Sequence, residues 1–336
     1  MDAVILVGGF GTRLQPLTYT VPKQMLPIAG ATMLERVVAH LGSHGVTRAI
    51  LALGYKPDVF IDEFPDQRCA GVELVYAVEP EPLDTGGAVR FAALAGGVSD
   101  TFVVVNGDVL TDLDVSELIA FHRSSGAEGT IALTKVDDPS RYGVVPIEQD
   151  GRVKAFIEKP PADEAPSHWI NAGTYVLEPS VLDRIDDGRR VSIEREVFPA
   201  MVADSALYAM ERQERWVDAG TPATYLEASL GYIDGTIANE PVIAEDAWVH
   251  NDAVVFESWI GPGAVVEEGA VIERSLVLAG ARIGARAVLK EAIVGPAAVV
   301  GAGAKLLDLT VLGEGVEIPP GEELIEATVA SVEDES

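Results

Sequence analysis

The chain has 336 residues, enough to bury a large core and to form two domains. Its 24 basic residues stand against 53 acidic ones, a formal net charge of −29, which argues against a nucleic acid or an anionic membrane face as partner. A single cysteine, Cys69, excludes an intramolecular disulfide and a cysteine-based zinc site. The five histidines, His40, His44, His122, His168 and His250, look scattered without ligand spacing, so no zinc enzyme is expected.

The start, Met1-Asp2, lacks a basic leader, and no stretch approaches the ~18 apolar residues of a membrane span, so a cytoplasmic protein is expected. Ala3 to Val7 is a short apolar, β-branched run that stops at a glycine pair, the pattern of a buried strand. Behind it, Gly8, Gly9 and Gly11 let backbone N–H groups come close to an anion. Arg13 can fork onto phosphate oxygens, and Lys23 adds a second cation ten residues later. Pro16, Pro22 and Pro27 stiffen the path between them. Two glycine loops are excluded: a dinucleotide fingerprint needs glycine where Leu14 stands, and the G-K-[ST] of a P-loop is absent.

A helix is expected over residues 32–44, where Met33, Leu34, Val37, Val38 and Leu41 recur at helical spacing, followed by a strand at Arg48 to Leu53. Val72 to Val78 and Thr101 to Val105 are further strands, the second ending at Asn106-Gly107-Asp108. Between them Leu83-Asp84-Thr85-Gly86-Gly87-Ala88 opens a helix for which Thr85 or Asp84 is the expected cap. Strands alternating with helices predict a mostly parallel α/β sheet with its ligand at the carboxyl ends of the strands, and Asp108 sits at such an end. A helix over Ser116 to Arg123 and a strand over Thr130 to Val136 follow. Asp150-Gly151 marks a hairpin between Tyr142 to Ile147 and Val153 to Glu158, delivering Glu158-Lys159-Pro160 at its far end. Asn171 to Leu177 is another strand and Ser192 to Met201 a short helix. Trp216-Val217-Asp218-Ala219-Gly220-Thr221-Pro222 carries a second isolated aspartate, and Pro222 opens a helix to about Tyr232.

After Asn239 aliphatic residues fall at spacings of six, six and five, so that Ile243, Ile260, Val277, Val294 and Val311 are each seventeen apart. That internal repeat, with three short strands per turn, predicts a β-helix of about four coils. The expected division is an α/β domain at 1–238, a β-helix at 239–326 and an acidic tail at 327–336.

The pattern G-G-x-G-T-R-L-x-P-L-T followed by P-K resembles the signature of the sugar-1-phosphate nucleotidyltransferases, the pyrophosphorylases that join an NTP to a sugar 1-phosphate. The later motifs Asn-Gly-Asp, Glu-Lys-Pro and Trp-x-Asp-x-Gly-x-Pro extend the resemblance from Ala3 to about Tyr232, and the seventeen-residue repeat is similar to the hexapeptide family of left-handed β-helices. The resemblance implies a Rossmann-like nucleotidyltransferase sheet, with Gly8, Gly9, Gly11, Thr12 and Arg13 on the NTP and Lys23 bridging the reacting phosphates. It implies Leu83, Thr85, Gly86 and Gly87 at the base and ribose, with Asp84 standing where glycine is expected. It further implies that Gly143, Glu158 and Asn171 line the sugar pocket, that Lys159 meets the sugar phosphate, and that Asp108 and Asp218 hold Mg²⁺. Arg13, Lys23, Asp108, Lys159 and Asp218 are thus the implied catalytic set.

Ser140 to Val145 and Ser192 to Pro199 are similar to segments of mannose-1-phosphate guanylyltransferases, which implies GTP and mannose 1-phosphate as substrates. A thymidylyl- or uridylyltransferase acting on glucose 1-phosphate is the alternative within the family. A non-catalytic regulatory paralogue is a second alternative, although its expected loss of a metal aspartate or a phosphate cation is not seen. An acyltransferase role for the β-helix is disfavoured because His250 is its one histidine, and a scaffold for a homo-oligomer is expected instead.

Overall fold

The computed structural model describes residues 1–233, 236 and 242–331. The expected boundary near Asn239 and the acidic residues Glu333–Ser336 lie outside the described residues. Two compact units are formed: Met1–Gly9 with Leu34–Trp216, and Phe10–Met33 with Val217–Ser336.

The first unit is built on a ten-stranded mixed sheet. Strand β1 (Asp2–Leu6) leads through helix α1 (Met33–Ser43) to β2 (Arg48–Leu53), then to β3 (Val72–Val78), helix α2 (Asp84–Ala95) and β4 (Phe102–Asn106). The parallel order is β4-β1-β2-β3, so the chain steps outward from β1 to β3 and then returns to the other side of β1. Such a reversal leaves a crevice at the carboxyl ends of β1 and β4, where ligands bind in open α/β sheets. Helix α3 (Val115–Ser125) and strands β5 (Gly129–Lys135), β6 (Trp169–Leu177) and β7 (Leu207–Glu211) complete the unit, with β6 antiparallel to both β4 and β5. Val4, Ile50, Val104, Ile131 and Tyr175 are fully buried in one continuous core.

The Asp150-Gly151 turn forms as expected. Gly151 has φ 87° and Glu148 N–H donates to Arg152 O at 2.8 Å, but regular pairing is confined to Gly143–Val144 against Ile157–Glu158. The helix expected over Ser192 to Met201 is in two parts, a π-helical turn at Ile193–Val197 and an α-helical turn at Phe198–Ala203. Pro199 has no N–H to continue a ladder, so the α-helix restarts around it.

In the second unit the repeat forms three five-stranded parallel sheets, visited in turn by the chain, which is the left-handed β-helix expected from the spacing. Ile260, Val277 and Val294 stack in register, but Val294 pairs with Leu312, not with Val311. The seventeen-residue period therefore fails once. Asp308 and Leu309, with φ 50° and 61°, take up the extra residue at that corner. Thr328–Val329 still pairs with Val311–Leu312, so the strands run past residue 326.

The interior column of Ile, Val, Leu and Ala is fully enclosed, and each large side chain in it contributes about 1.5 to 3 kcal/mol. One corner carries a polar ladder: Ser275 N–H donates to Ser258 Oγ at 3.0 Å, and Ala292 N–H donates to Ser275 Oγ at 3.0 Å. Both hydroxyls are fully enclosed. Ser275→Ala should lower unfolding stability by about 1 to 3 kcal/mol, because the buried Ala292 N–H loses its acceptor. Urea unfolding with an unchanged m-value tests this, and a midpoint equal to wild type would show that the ladder contributes nothing.

Candidate active site

The crevice of the first unit lies where β1 and β4 end. After β1 the chain turns at Gly8 and Gly9. A Cβ at Gly8 would lie 3.4 Å from Gly54 N and 3.5 Å from Glu79 Oε1, ordinary contacts, so the protein's own packing does not demand glycine there. What glycine supplies is bare backbone that another molecule can approach. After β4, Gly107 N–H donates to Leu6 O at 3.0 Å, and a Cβ on Gly107 would come within 2.7 Å of Val7 Cγ1. Gly107 thus presses the next residue, half-buried Asp108, against the mouth of β1.

Asn106 faces Gly173, whose φ is 73° and whose Cβ would meet Asn106 Nδ2 at 2.7 Å. Gly173 N–H in turn donates to Asn171 Oδ1 at 2.9 Å, and Asn171 Nδ2 donates to the Tyr175 hydroxyl at 2.8 Å. The β6–β5 register shifts between Asn171 and Tyr175, a bulge that re-aims these side chains. Burial holds the Tyr175 phenol well above its ordinary range, with Glu194 and Glu158 adding to that shift, so it stays protonated.

Gly143 pairs with Glu158, and a Cβ on it would sit 2.6 Å from Phe156 Cζ and 3.1 Å from Glu158 Oε2. The next residue, Lys159, holds φ 48°, a conformation that costs a non-glycine residue about 1 to 3 kcal/mol. Its N–H is tied to Tyr142 O at 3.0 Å, and its largely exposed ammonium lies 3.4 Å from Glu158 Oε1.

The segment 83–88 differs from expectation. Neither Thr85 nor Asp84 caps α2. The Val191 carbonyl does so, accepting from Gly86 N–H at 2.8 Å and Gly87 N–H at 3.1 Å. A Cβ on Gly86 would lie 3.0 Å from that oxygen, so the glycines serve a close backbone crossing. Thr85 Oγ1 donates to Glu194 Oε2 at 2.6 Å, Ser192 Oγ donates to the same oxygen at 2.9 Å, and Arg195 bonds Asp84 at 3.0 Å. Glu79 accepts from Leu83 N–H at 3.0 Å through Oε2 while its other oxygen faces Gly8. Burial pushes the Glu79 carboxyl above its usual range, and the Leu83 bond opposes that shift. Glu79, Glu194 and Tyr175 carry no site signal in the sequence: an isolated carboxylate or phenol has none until the fold gives it neighbours.

In the second unit Gly11, with φ 64°, opens a short 3-10 turn, Thr12–Leu14, leaving Thr12 exposed. Its carbonyl accepts from Leu14 N–H and from Thr18 Oγ1, both at 2.9 Å. A Cβ on Gly11 would meet Thr18 Cγ2 at 3.1 Å and Lys23 Cβ at 3.3 Å, so the loop closes on the stem of Lys23. Arg13 Nη2 lies 3.9 Å from Asp218 Oδ2, and a Cβ on Gly220 would be 2.7 Å from both side chains. A pair at that distance with an exposed guanidinium is worth about 0 to 1 kcal/mol. Helix α4 (Pro222–Ile233) is fixed to the same loop by Tyr225, whose hydroxyl donates to Pro27 O at 2.7 Å.

Among the described residues no group of three or more His, Cys, Asp or Glu side chains is disposed to hold a metal. Asp108 and Asp218 nonetheless fit a hard divalent ion chemically, because Mg²⁺ takes one or two carboxylates and completes its shell with water and substrate phosphate oxygens.

His40 and His44 stand one turn apart on α1, a spacing overlooked when the histidines are taken as scattered. His40 Nε2 bonds Leu113 O at 2.9 Å, His44 Nδ1 lies 3.3 Å from Asp114 Oδ1, and the rings meet edge-on at 4.8 Å. Burial lowers the His40 pKa and His44 lowers it further, against the opposing pull of Leu113 O, Asp112 and Asp114. A folded pKa below the unfolded value means that the unfolded chain binds protons more tightly, so stability is constant above about pH 6.5 and falls as pH drops through it. His40→Gln should therefore flatten the decline in Tm between about pH 7 and pH 5. An unaltered slope would assign the decline to other groups.

An α/β sheet with a glycine turn after its first strand and a carboxylate after its fourth places the chain in a class of nucleotide-handling α/β folds. The sequence profile of the nucleotidyl transferase family matches residues 2–235, and that of the GMPPB C-terminal domain matches residues 237–333. The chain belongs to the nucleotidyl transferase family. It is 43% identical over 272 residues to the mannose-1-phosphate guanylyltransferase of Mycobacterium tuberculosis, covering 79% of this chain and 73% of that one. It is 40% identical over 336 residues to the probable mannose-1-phosphate guanylyltransferase 1 of Oryza sativa, covering 95% and 92%. The crystal structure of HddC from Yersinia pseudotuberculosis complexed with GMP-PN superposes with a TM-score of 0.59 at 32% identity, over 69% of this chain and 99% of HddC. Among the described residues no helix is long and apolar enough to cross a membrane.

Proposed function

We propose that the protein is a mannose-1-phosphate guanylyltransferase, condensing GTP with mannose 1-phosphate to give GDP-mannose and pyrophosphate. The observation that carries the choice of base is Glu79, whose Oε1 faces the bare backbone of Gly8 while Leu83 N–H fixes its other oxygen. A carboxylate is an acceptor only, and guanine alone among the common bases offers two adjacent donors, N1–H and the 2-amino group, on one edge. The names of relatives about 40% identical over most of the chain support the same reading. Glucose 1-phosphate with dTTP or UTP is the alternative within the family.

In this reading a phosphate oxygen of mannose 1-phosphate attacks the α-phosphorus of GTP in line, the bond to the β-phosphate oxygen breaks, and pyrophosphate departs. Gly8, Gly9, Gly11 and Thr12 hold the nucleotide, Arg13 its outer phosphates and Lys23 the reacting ones. Leu83 and Thr85, with Gly86 and Gly87 behind them, form the base side. Gly143, Glu158 and Asn171 hold the sugar hydroxyls and Lys159 the sugar phosphate. Asp108 and Asp218 would hold Mg²⁺, which neutralises phosphate charge when bound. The chain's own groups position and screen, which is most of what phosphoryl transfer requires. The reading also places the catalytic part at residues 1–238 and gives the β-helix a scaffold role in a homo-oligomer of a cytoplasmic enzyme. Light scattering on the full chain tests the assembly, and a monomer would reject it.

Glu79→Gln puts an amide donor against the donor edge of guanine. It should lower kcat/KM for GTP by about tenfold to a hundredfold and narrow the preference for GTP over UTP. Unchanged selectivity would remove Glu79 from the base pocket.

A further inference from the structure

Gly313, at a corner of the β-helix, points to an unassigned role for that domain. It follows the short strand Val311–Leu312, and its N–H donates to Val329 O in the next turn at 2.8 Å. In the same corner column the turn stacked above crowds the glycines of two earlier turns, Gly261 and Gly295, while the turn between them carries the buried Leu278. A Cβ on Gly261 would meet Val277 O at 3.0 Å, and one on Gly295 would meet Leu312 O at 2.5 Å. At Gly313 the next turn leaves an ordinary 3.4 Å to Val329 O, and the crowding comes from elsewhere: Pro16 Cβ would be 3.0 Å away and Pro16 Cγ 3.2 Å.

Gly313 and Pro16 are both buried. Pro16 belongs to the glycine-arginine loop, and the loop's packing carries the contact onward. Leu14, Leu17 and Thr18 are also enclosed, Thr18 Oγ1 grips Gly11 O at 2.9 Å, and Gly11 abuts the stem of Lys23. Consistent with this, Phe10–Met33 forms one compact unit with Val217–Ser336 and not with the sheet that precedes it.

We propose that the β-helix is the backstop of the catalytic loop, with Gly313 a positioning residue that seats Pro16 and thereby sets Gly11, Arg13 and Lys23 for nucleotidyl transfer. The catalytic consequence rests on the loop's nucleotide-binding role proposed above; the seating itself does not. A side chain at 313 pushes Pro16 into a loop with no slack, and a misplacement of about 1 Å at reacting groups costs on the order of a hundredfold in rate.

The test uses the full chain with Gly313→Val, Gly313→Val combined with Pro16→Ala, and Glu314→Ala at the exposed neighbouring position as control. Tryptic cleavage after Arg13 and Lys23 under native conditions, quantified by mass spectrometry, reports the loop. Steady-state kinetics report its chemistry. Gly313→Val should raise cleavage at those two sites several-fold and lower kcat/KM for the nucleotide about tenfold or more, and Pro16→Ala in the same chain should recover part of both. Glu314→Ala should change neither. Unaltered cleavage in Gly313→Val, or no recovery with Pro16→Ala while thermal unfolding remains normal, would overturn the backstop. Altered cleavage with unaltered kinetics would keep the backstop and refute the loop's assigned role in nucleotide binding. Should Gly313→Val fail to fold, Gly313→Ala, which asks Pro16 to yield a few tenths of an ångström, is read in the same way.

Discussion

Replacing Asp108 by asparagine should lower kcat by about two to three orders of magnitude, a loss like that of a preorganised charge-stabilising group. The side chain is nearly isosteric, and the turn that presents it is fixed by other atoms: Gly107 N–H is bonded to Leu6 O, and Gly107 itself is wedged against Val7. Folding should therefore be little changed, with Tm within a few degrees of wild type. What asparagine lacks is the full negative charge that a divalent ion needs from a ligand. Raising Mg²⁺ should restore part of the activity in Asp108→Asn, because weaker binding is offset by concentration. A kcat near wild type would show that the divalent ion is held by other groups and that Asp108 is a structural end to β4.

Lys23→Met should be the second severe variant, lowering kcat/KM by about a hundredfold to a thousandfold. Methionine keeps most of the aliphatic stem on which Gly11 closes, so the loop's packing survives while the ammonium is lost. In the proposed site the charge stands where two phosphate groups approach each other, and their mutual repulsion rises toward the transition state. The loss should appear more in kcat than in KM for GTP, since the proposed nucleotide site also includes Arg13 and the glycine backbone. A loss confined to KM would make Lys23 a ground-state binding group. A change of less than about threefold in both would remove it from the reacting centre.

The parts of this site legible in the sequence are those fixed by local backbone demands. A β-branched run ending at Gly8 and Gly9, and another ending at Asn106-Gly107-Asp108, announce strand ends, and the sheet places both at its switch point. The aliphatic column at Ile260, Val277 and Val294 is equally plain, because an interior β-helix position tolerates little else. The slip to Leu312 is not legible: Asp308 and Leu309 take positive φ at the corner without a glycine to mark it. The cap of α2 is invisible for a different reason. It is the carbonyl of Val191, a backbone atom brought back more than a hundred residues later, and no side chain near Thr85 signals it. The same holds for Glu79 and Glu194, whose roles come from their positions beside Gly8 and Thr85. Lys159 combines both cases, since Glu-Lys-Pro marks the site while the strained φ of 48° is set only by the surrounding strands.

The assignment of GTP and mannose 1-phosphate is tested most directly by pyrophosphate release from the purified protein with Mg²⁺. The assay pairs GTP, dTTP, UTP, ATP and CTP in turn with mannose, glucose and N-acetylglucosamine 1-phosphates. The account predicts that GTP with mannose 1-phosphate gives the fastest release, with GDP-mannose as the accompanying product. Faster release from another pair would contradict the assigned substrates, and no release from any pair, with nucleotide still bound by calorimetry, would contradict the assignment as an enzyme.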